Sequence, residues 1–146
     1  MIKLSTGLRE ALAASQSLRA TLNNGFIRLY TGAVPASADA ALGSAVLINE
    51  ISAGGTGTAL TLEPTAPGGV VAKAVAENWT GNNLADGTPT FFRYVLAGDA
   101  GDASSSAVRF QGSVGGPGAD MVISSLPLVN GAPQTFDLFQ LVIPEQ

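Results

Sequence analysis

The sequence predicts a mainly β fold, a jelly-roll-like antiparallel β-sandwich preceded by one N-terminal α-helix. Three observations predict it. Short runs of branched and aromatic residues alternate along most of the chain, clusters of Gly, Pro and Asn interrupt them at turn-sized intervals, and helical spacing of apolar residues is confined to the first two dozen positions. A length of 146 residues suits a single domain, divided into a helix over 5–24 and a sandwich over 26–146.

Ser5 and Thr6 supply N-cap hydroxyls, and Asn23-Asn24-Gly25 supplies a stop that tolerates the left-handed conformation. Between them Leu8, Ala11, Leu12, Ser15, Leu18 and Leu22 recur at helical spacing, which predicts one helix covering a sheet face. Phe26–Thr31 follows as a strand between Gly25 and Gly32, with Ile27, Leu29 and Thr31 on the better core face and Phe26, Arg28 and Tyr30 on the other. Ala33 to Ser44, interrupted by Pro35 and Asp39, reads as an ordered loop. Ala45 to Ser52 returns to strand composition, with Leu47 and Ile51 on one face and Glu50 on the other.

The glycines of Gly54-Gly55-Thr56-Gly57 lack the Lys-Ser/Thr ending of a phosphate loop and read as a hairpin tip. Leu60-Thr61-Leu62 is a short strand stopped by Pro64, Pro67-Gly68-Gly69 is a turn, and Val70 to Trp79 alternates as a strand. Phe91–Leu96 and Thr135–Ile143 are apolar on both faces, the pattern of strands covered on each side. Between them Val108, Phe110 and Val114 continue the alternation, and Met121–Leu126 pairs back after the Gly115-Gly116-Pro117-Gly118 turn.

The chemistry of the residues is mostly exclusion. With no Cys and no His, disulfides, thiolates, imidazole acid–base pairs and transition-metal sites are unavailable. No nucleophile sits beside a base and no two carboxylates stand in contrasting settings, so no catalytic residue and no cofactor is assigned. Asp99 and Asp102 are the one pair placed for a hard cation. Their spacing and the missing terminal Glu depart from a calcium loop, so a solvated turn with no metal is the expectation.

Lys3, Arg9, Arg19, Arg28, Lys73, Arg93 and Arg109 are scattered singly in a chain of net charge −4, which argues against a nucleic-acid partner. No apolar run approaches the ~20 residues of a membrane span, and Met1–Ser5 lacks a long apolar signal core, so a product made in the cytoplasm is expected. Without such a signal the Asn78-Trp79-Thr80 sequon carries nothing. Charged residues are only 12% of the chain, which fits either a surface covered by other protein or a sandwich rich in small residues.

Leu4-Ser5-Thr6-Gly7-Leu8-Arg9, then Ile27-Arg28-Leu29-Tyr30-Thr31-Gly32 with Pro35-Ala36-Ser37-Ala38-Asp39-Ala40-Ala41, resembles a family of short proteins encoded among the structural genes of tailed bacteriophages and prophages. The likeness extends through Lys73-Ala74, Asn78-Trp79-Thr80-Gly81, Phe92-Arg93, Gly112-Ser113-Val114 and Gly118-Ala119-Asp120, and so covers most of the chain. It implies a structural virion protein, foremost a capsid cement or decoration protein. Such proteins often have a jelly-roll-like sandwich, bind the outside of the assembled shell and clamp adjacent subunits of the major capsid protein. A homo-dimer or higher homo-oligomer on the capsid surface, with no nucleic acid and no membrane, belongs to that expectation. The candidate protein interface is then Leu8, Leu12, Trp79, Phe139, Leu141 and Ile143. A tail or neck protein of the same virion, or a carbohydrate-binding sandwich using Trp79 and Tyr94, are the alternatives.

Overall fold

A computed structural model, which describes residues 1–143, is mainly β and built almost wholly on antiparallel pairing. After β1 (Lys3–Leu4) come two helices, α1 (Thr6–Ala14) and α2 (Leu18–Leu22), then β2 (Gly25–Thr31), β3 (Val46–Ala53), β4 (Val70–Ala72), β5 (Trp79–Asn82) and β6 (Phe91–Leu96). The chain continues through β7 (Arg109–Gly115), β8 (Met121–Val122), β9 (Pro133–Phe136) and β10 (Gln140–Val142). The main sheet runs β1-β7-β6-β2-β3-β5-β9, with β8 beside β7, and a separate ribbon pairs β10 with β4.

The single helix expected over 5–24 is two helices. Ser15 caps the end of α1 by donating its N–H to Ala11 O, and Ser17 opens α2 by accepting from the Ala20 amide at 3.2 Å. Serines bond readily to nearby backbone, and here they stop one helix and start the next. The expected stop at Asn23-Asn24-Gly25 is present, with Asn24 at φ 67°. Ser5 caps α1 and does more than that, being fully buried. Its Oγ accepts from the amides of Leu8 (3.1 Å) and Arg109 (2.9 Å) and donates to Ala107 O (2.7 Å), which fixes the helix start against β7. Gly7 permits that approach, because a Cβ there would stand 2.3 Å from Ser106 O.

One face of the sheet packs on the helices and the β4–β10 ribbon. Ile27 and Leu29 of β2, Phe92 and Tyr94 of β6 and Phe110 of β7 meet Leu8, Leu22, Val71, Trp79 and Phe139 there. Cross-strand partners Tyr94 and Phe110 stack at 5.0 Å, and the Tyr94 hydroxyl donates to Leu22 O at 2.6 Å, tying α2 down. Ile27 and Leu29 thus take the core face as expected.

Other segments differ from the expectation. Leu29 pairs with Asn49 and Tyr30 with Leu47, so Ile48 is an extra residue in a bulge. Leu47 therefore shares a face with Glu50, not with Ile51. Val70 to Trp79 is not one strand: β4 ends at Ala72, and the Glu77 carboxylate pins the following turn by accepting from the Thr61 amide and hydroxyl and from Trp79 Nε1. Leu60 and Leu62 make only isolated bridges, to Gly25 and Lys73. Met121–Leu126 yields the two-residue β8, which runs parallel to β7. Thr135–Ile143 breaks after Phe136, so that β9 joins β5 while β10 joins β4; Phe136 and Phe139 both turn inward and Leu138 turns out.

Ser5→Ala leaves two buried amides without an acceptor and is expected to lower the unfolding free energy by about 2 kcal/mol, read as a shift in urea midpoint at unchanged m-value. A change under about 0.5 kcal/mol contradicts the role given to Ser5.

Candidate functional site

The opposite face of the same sheet carries an extended polar construction. Cross-strand register sets Glu50 (β3), Arg28 (β2), Arg93 (β6), Gln111 (β7) and Lys3 (β1) side by side in one row, and directly opposed residues project from the same face. Tyr30 and Phe91 flank the row on one side, stacked at 5.1 Å, and Phe26, Val95 and Arg109 on the other. Over it lies the segment 33–44, here termed the strap.

The row binds the strap through the strap's own backbone. Gln111 Nε2 donates to Pro35 O (2.8 Å), Lys3 Nζ to Ala36 O (2.9 Å), Arg93 to Ala40 O (3.1 Å) and Ser37 O (3.5 Å), and Arg109 to Ala38 O (3.4 Å). Arg93 is fully buried, and its Nε and Nη2 share Gln111 Oε1 at 3.2 and 2.7 Å. Among the described residues no carboxylate bonds to it. Burial, and then the neighbouring Arg109 charge, pull its pKa below the ordinary arginine value.

Asp99 supplies a full negative charge to the cluster. Arg109 Nε and Nη2 grip its two oxygens at 2.5 and 2.8 Å, the Gly101 amide adds a third bond at 2.8 Å, and both side chains are almost fully buried. Burial alone raises a carboxyl, yet the hydrogen bonds from Arg109 and Gly101 outweigh it and hold Asp99 below its usual range. Arg28 pairs with Glu50 at 2.6 Å and donates to Asp99 O at 2.7 Å. On the strap itself Asp39 accepts from the Thr6 hydroxyl (2.7 Å) and amide (2.8 Å), and these bonds lower its carboxyl as well.

The Gly98–Asp102 turn is solvent-exposed at Gly98, Ala100 and Asp102, as expected, while the Asp99 side chain is turned inward and buried. Asp99 is spent on Arg109, and Asp102 contributes only its carbonyl oxygen to Arg109 Nη1 at 2.8 Å. Among the described residues no three His, Cys, Asp or Glu side chains gather as metal ligands. Arg93 interrupts the expected apolar face of Phe91–Leu96.

Of the candidate interface residues, Leu8 and Trp79 are fully buried and Phe139 nearly so, all in the aromatic core, where no partner reaches them. The same burial removes Trp79 as a sugar-stacking surface. Leu12 and Leu141 pack partly against that core, and only Ile143 is well exposed. The exposed apolar side chains that do cluster are ones the alternation did not single out. Val122 (58% exposed), Leu138 (72%) and Val142 (61%) rim a groove of about 550 Å³ floored by Phe92, Phe110 and Phe139. Val75 lines an adjoining hollow that shares Leu138.

Comparison of the chain with protein-family models, with curated proteins and with solved structures finds no match.

Asp99→Asn removes the charge that pairs with buried Arg109 and is expected to cost about 3 kcal/mol, while the double change Asp99→Leu with Arg109→Met recovers much of the loss. Because the folded-state carboxyl is lowered, the pair's contribution is complete above an unfolded value of about 4 and declines as pH falls through the lowered one. Acid titration of wild type against Asp99→Asn reads this as a stability gap that closes toward low pH; a gap independent of pH contradicts the pairing.

Proposed function

We propose that the protein is a structural virion component without catalysis, a capsid cement protein that binds the outside of an assembled phage shell and clamps adjacent major capsid subunits. The observation that carries this reading is the uncovered apolar rim formed by Val122, Leu138 and Val142, in a chain with only 12% charged residues. Interface cores are depleted in charge, and grouped apolar exposure marks contact surface more than scattered exposure does. The polar chemistry supports it from the other side, since Arg93, Arg109, Gln111 and Asp99 are engaged with one another and with backbone inside the fold. The choice of capsid as partner rests on the sequence resemblance, to which the jelly-roll-like arrangement and a homo-oligomer on the shell also belong.

The mechanism is linkage: a protein that binds only the assembled shell shifts the equilibrium toward it. Within this reading the contact moves from Leu8, Trp79 and Phe139 to Leu138 and Val142, with Leu141 and Ile143 retained.

Electron microscopy of purified particles is expected to show the protein in shell-stoichiometric copy number, and particles lacking it to rupture at lower temperature. A few rings of copies per particle places it in the tail or neck instead, and unchanged rupture overturns the cement role. Leu138→Lys with Val142→Lys is expected to reduce shell occupancy by roughly tenfold or more while the free protein melts as before.

A further inference from the structure

The strap is attached by charge and backbone polarity more than by apolar contact. Its buried side chains are the small Pro35 and Ala38, Leu42 rests half-buried over Gly101, and Val34 faces solvent. Its carbonyls at Pro35, Ala36, Ser37, Ala38 and Ala40 take donors from the sheet. Two carboxylates brace this arrangement. Asp39 ties the strap to Thr6 at the start of α1, while Asp99 holds the Arg109 guanidinium in place to reach Ala38 O. Further backbone bonds run from Leu42 N to Gly101 O and from Ser104 N to Asp39 O.

From this geometry we infer that Ala33–Ser44 is an acid-released strap: protonation of Asp39 and Asp99 detaches it from β1, β6 and β7 as a unit while the aromatic core on the opposite face stays folded. The device is independent of what the protein binds. Closed, the strap confines Arg93 beside Arg109, with neutral acceptors as the partners of Arg93 among the described residues; open, it lets water reach both guanidiniums. Once the two carboxylates are neutral, the repulsion between those arginines and the desolvation of Arg93 are offset by neutral acceptors, Gln111 Oε1 and backbone carbonyls, in place of full charges.

The charged and titratable groups facing the site are Arg9 and Asp39 from the α1 side and the strap, Arg28 and Tyr30 from β2, Glu50 from β3 and Arg93 from β6. Arg109 from β7, Asp99 and Asp102 from the connection between β6 and β7 and Lys3 from β1 complete the set. Asp39 and Asp99 are both held below their usual values in the closed form, so closure is favoured above about pH 4 and loses its advantage as pH falls through the lowered values. Each unit of lowering that opening relieves, as loss of the Thr6 bonds does for Asp39, is a tenfold loss in the closed-to-open ratio. Glu77, on the other side of the sheet, titrates in the same sense through Thr61 and Trp79, so a variant at neutral pH is needed to isolate the strap.

Hydrogen exchange on the full chain tests this at about pH 6.5 and about pH 2, the first above and the second well below the ordinary carboxyl range. Protection factors at the Leu42 and Ser104 amides are expected to fall roughly tenfold or more at the lower pH while the β2–β6 amides keep theirs. Asp39→Asn is expected to produce a selective loss at the same two amides at the higher pH. The inference is overturned if strap and β2–β6 amides lose protection together, if the strap stays protected at the lower pH, or if Asp39→Asn leaves it unchanged.

Discussion

A guanidinium taken out of water must find acceptors for its donors, and Arg93 and Arg109 are both taken out of water side by side. Much of the outer half of this protein follows from that constraint. Arg28 stands directly across β2–β6 from Arg93, an arrangement of like charges that is unfavourable by itself. The row resolves it by turning Arg28 outward to Glu50 and to the Asp99 carbonyl, while Arg93 turns toward Gln111 and the strap. Gln111 accepts from Arg93 with its amide oxygen and so presents its amide nitrogen to Pro35 O. Each donor thus determines where the next acceptor lies.

This accounts for an irregular segment that is nonetheless fixed in place. A loop with little apolar side chain cannot be held by burial alone, since its ordering entropy is on the order of 1–2 kcal/mol per residue. Here the carbonyls of the strap replace the water that the arginines lost, and the arginines replace the water that the carbonyls lost. The same sheet carries the opposite solution on its other face, where Tyr94, Phe110, Trp79 and Phe139 form an aromatic core with almost no polar atoms. One face is held mainly by the hydrophobic effect, with Glu77 the titratable group bound at its edge, and the other by charge pairs that depend on protonation throughout. The arginine cluster also takes Arg28, Arg93 and Arg109 out of the seven basic residues, leaving a surface with fewer charges than composition already implied.

Local signals in the sequence were sufficient for the mainly β class, the Ser5 cap, the Asn24 stop and the two faces of Phe26–Thr31, because each depends on neighbouring residues or on a period of two. The serine break between α1 and α2 was visible in Ser15-Gln16-Ser17, but the leucine spacing runs through it. What the sequence did not disclose depends on register. Arg28, Arg93, Gln111 and Lys3 are far apart in the chain and become one row only once β1, β7, β6 and β2 are aligned. A bulge at Ile48 inverts the relation of Leu47 to Ile51 for the same reason: one added residue moves every earlier side chain to the other face. Asp99 in a Gly-rich turn has the composition of a solvated loop, and only Arg109, ten positions on, makes it a buried partner.

Three of the candidate interface residues, Leu8, Trp79 and Phe139, are buried for a different reason. Apolar alternation marks side chains that need covering, and it does not say whether the cover comes from the same chain. Leu8, Trp79 and Phe139 are covered internally because the chain breaks after Phe136 and sends β10 across to β4, closing the aromatic cluster. The same break turns Leu138 outward and leaves Val142 on the free side of a two-stranded ribbon. A single continuous closing strand places alternate residues on the two faces of one sheet and leaves no such rim. The split therefore produces both results at once, a completed core beneath the ribbon and an apolar rim above it, and the residues displaced from the first are the ones that line the second.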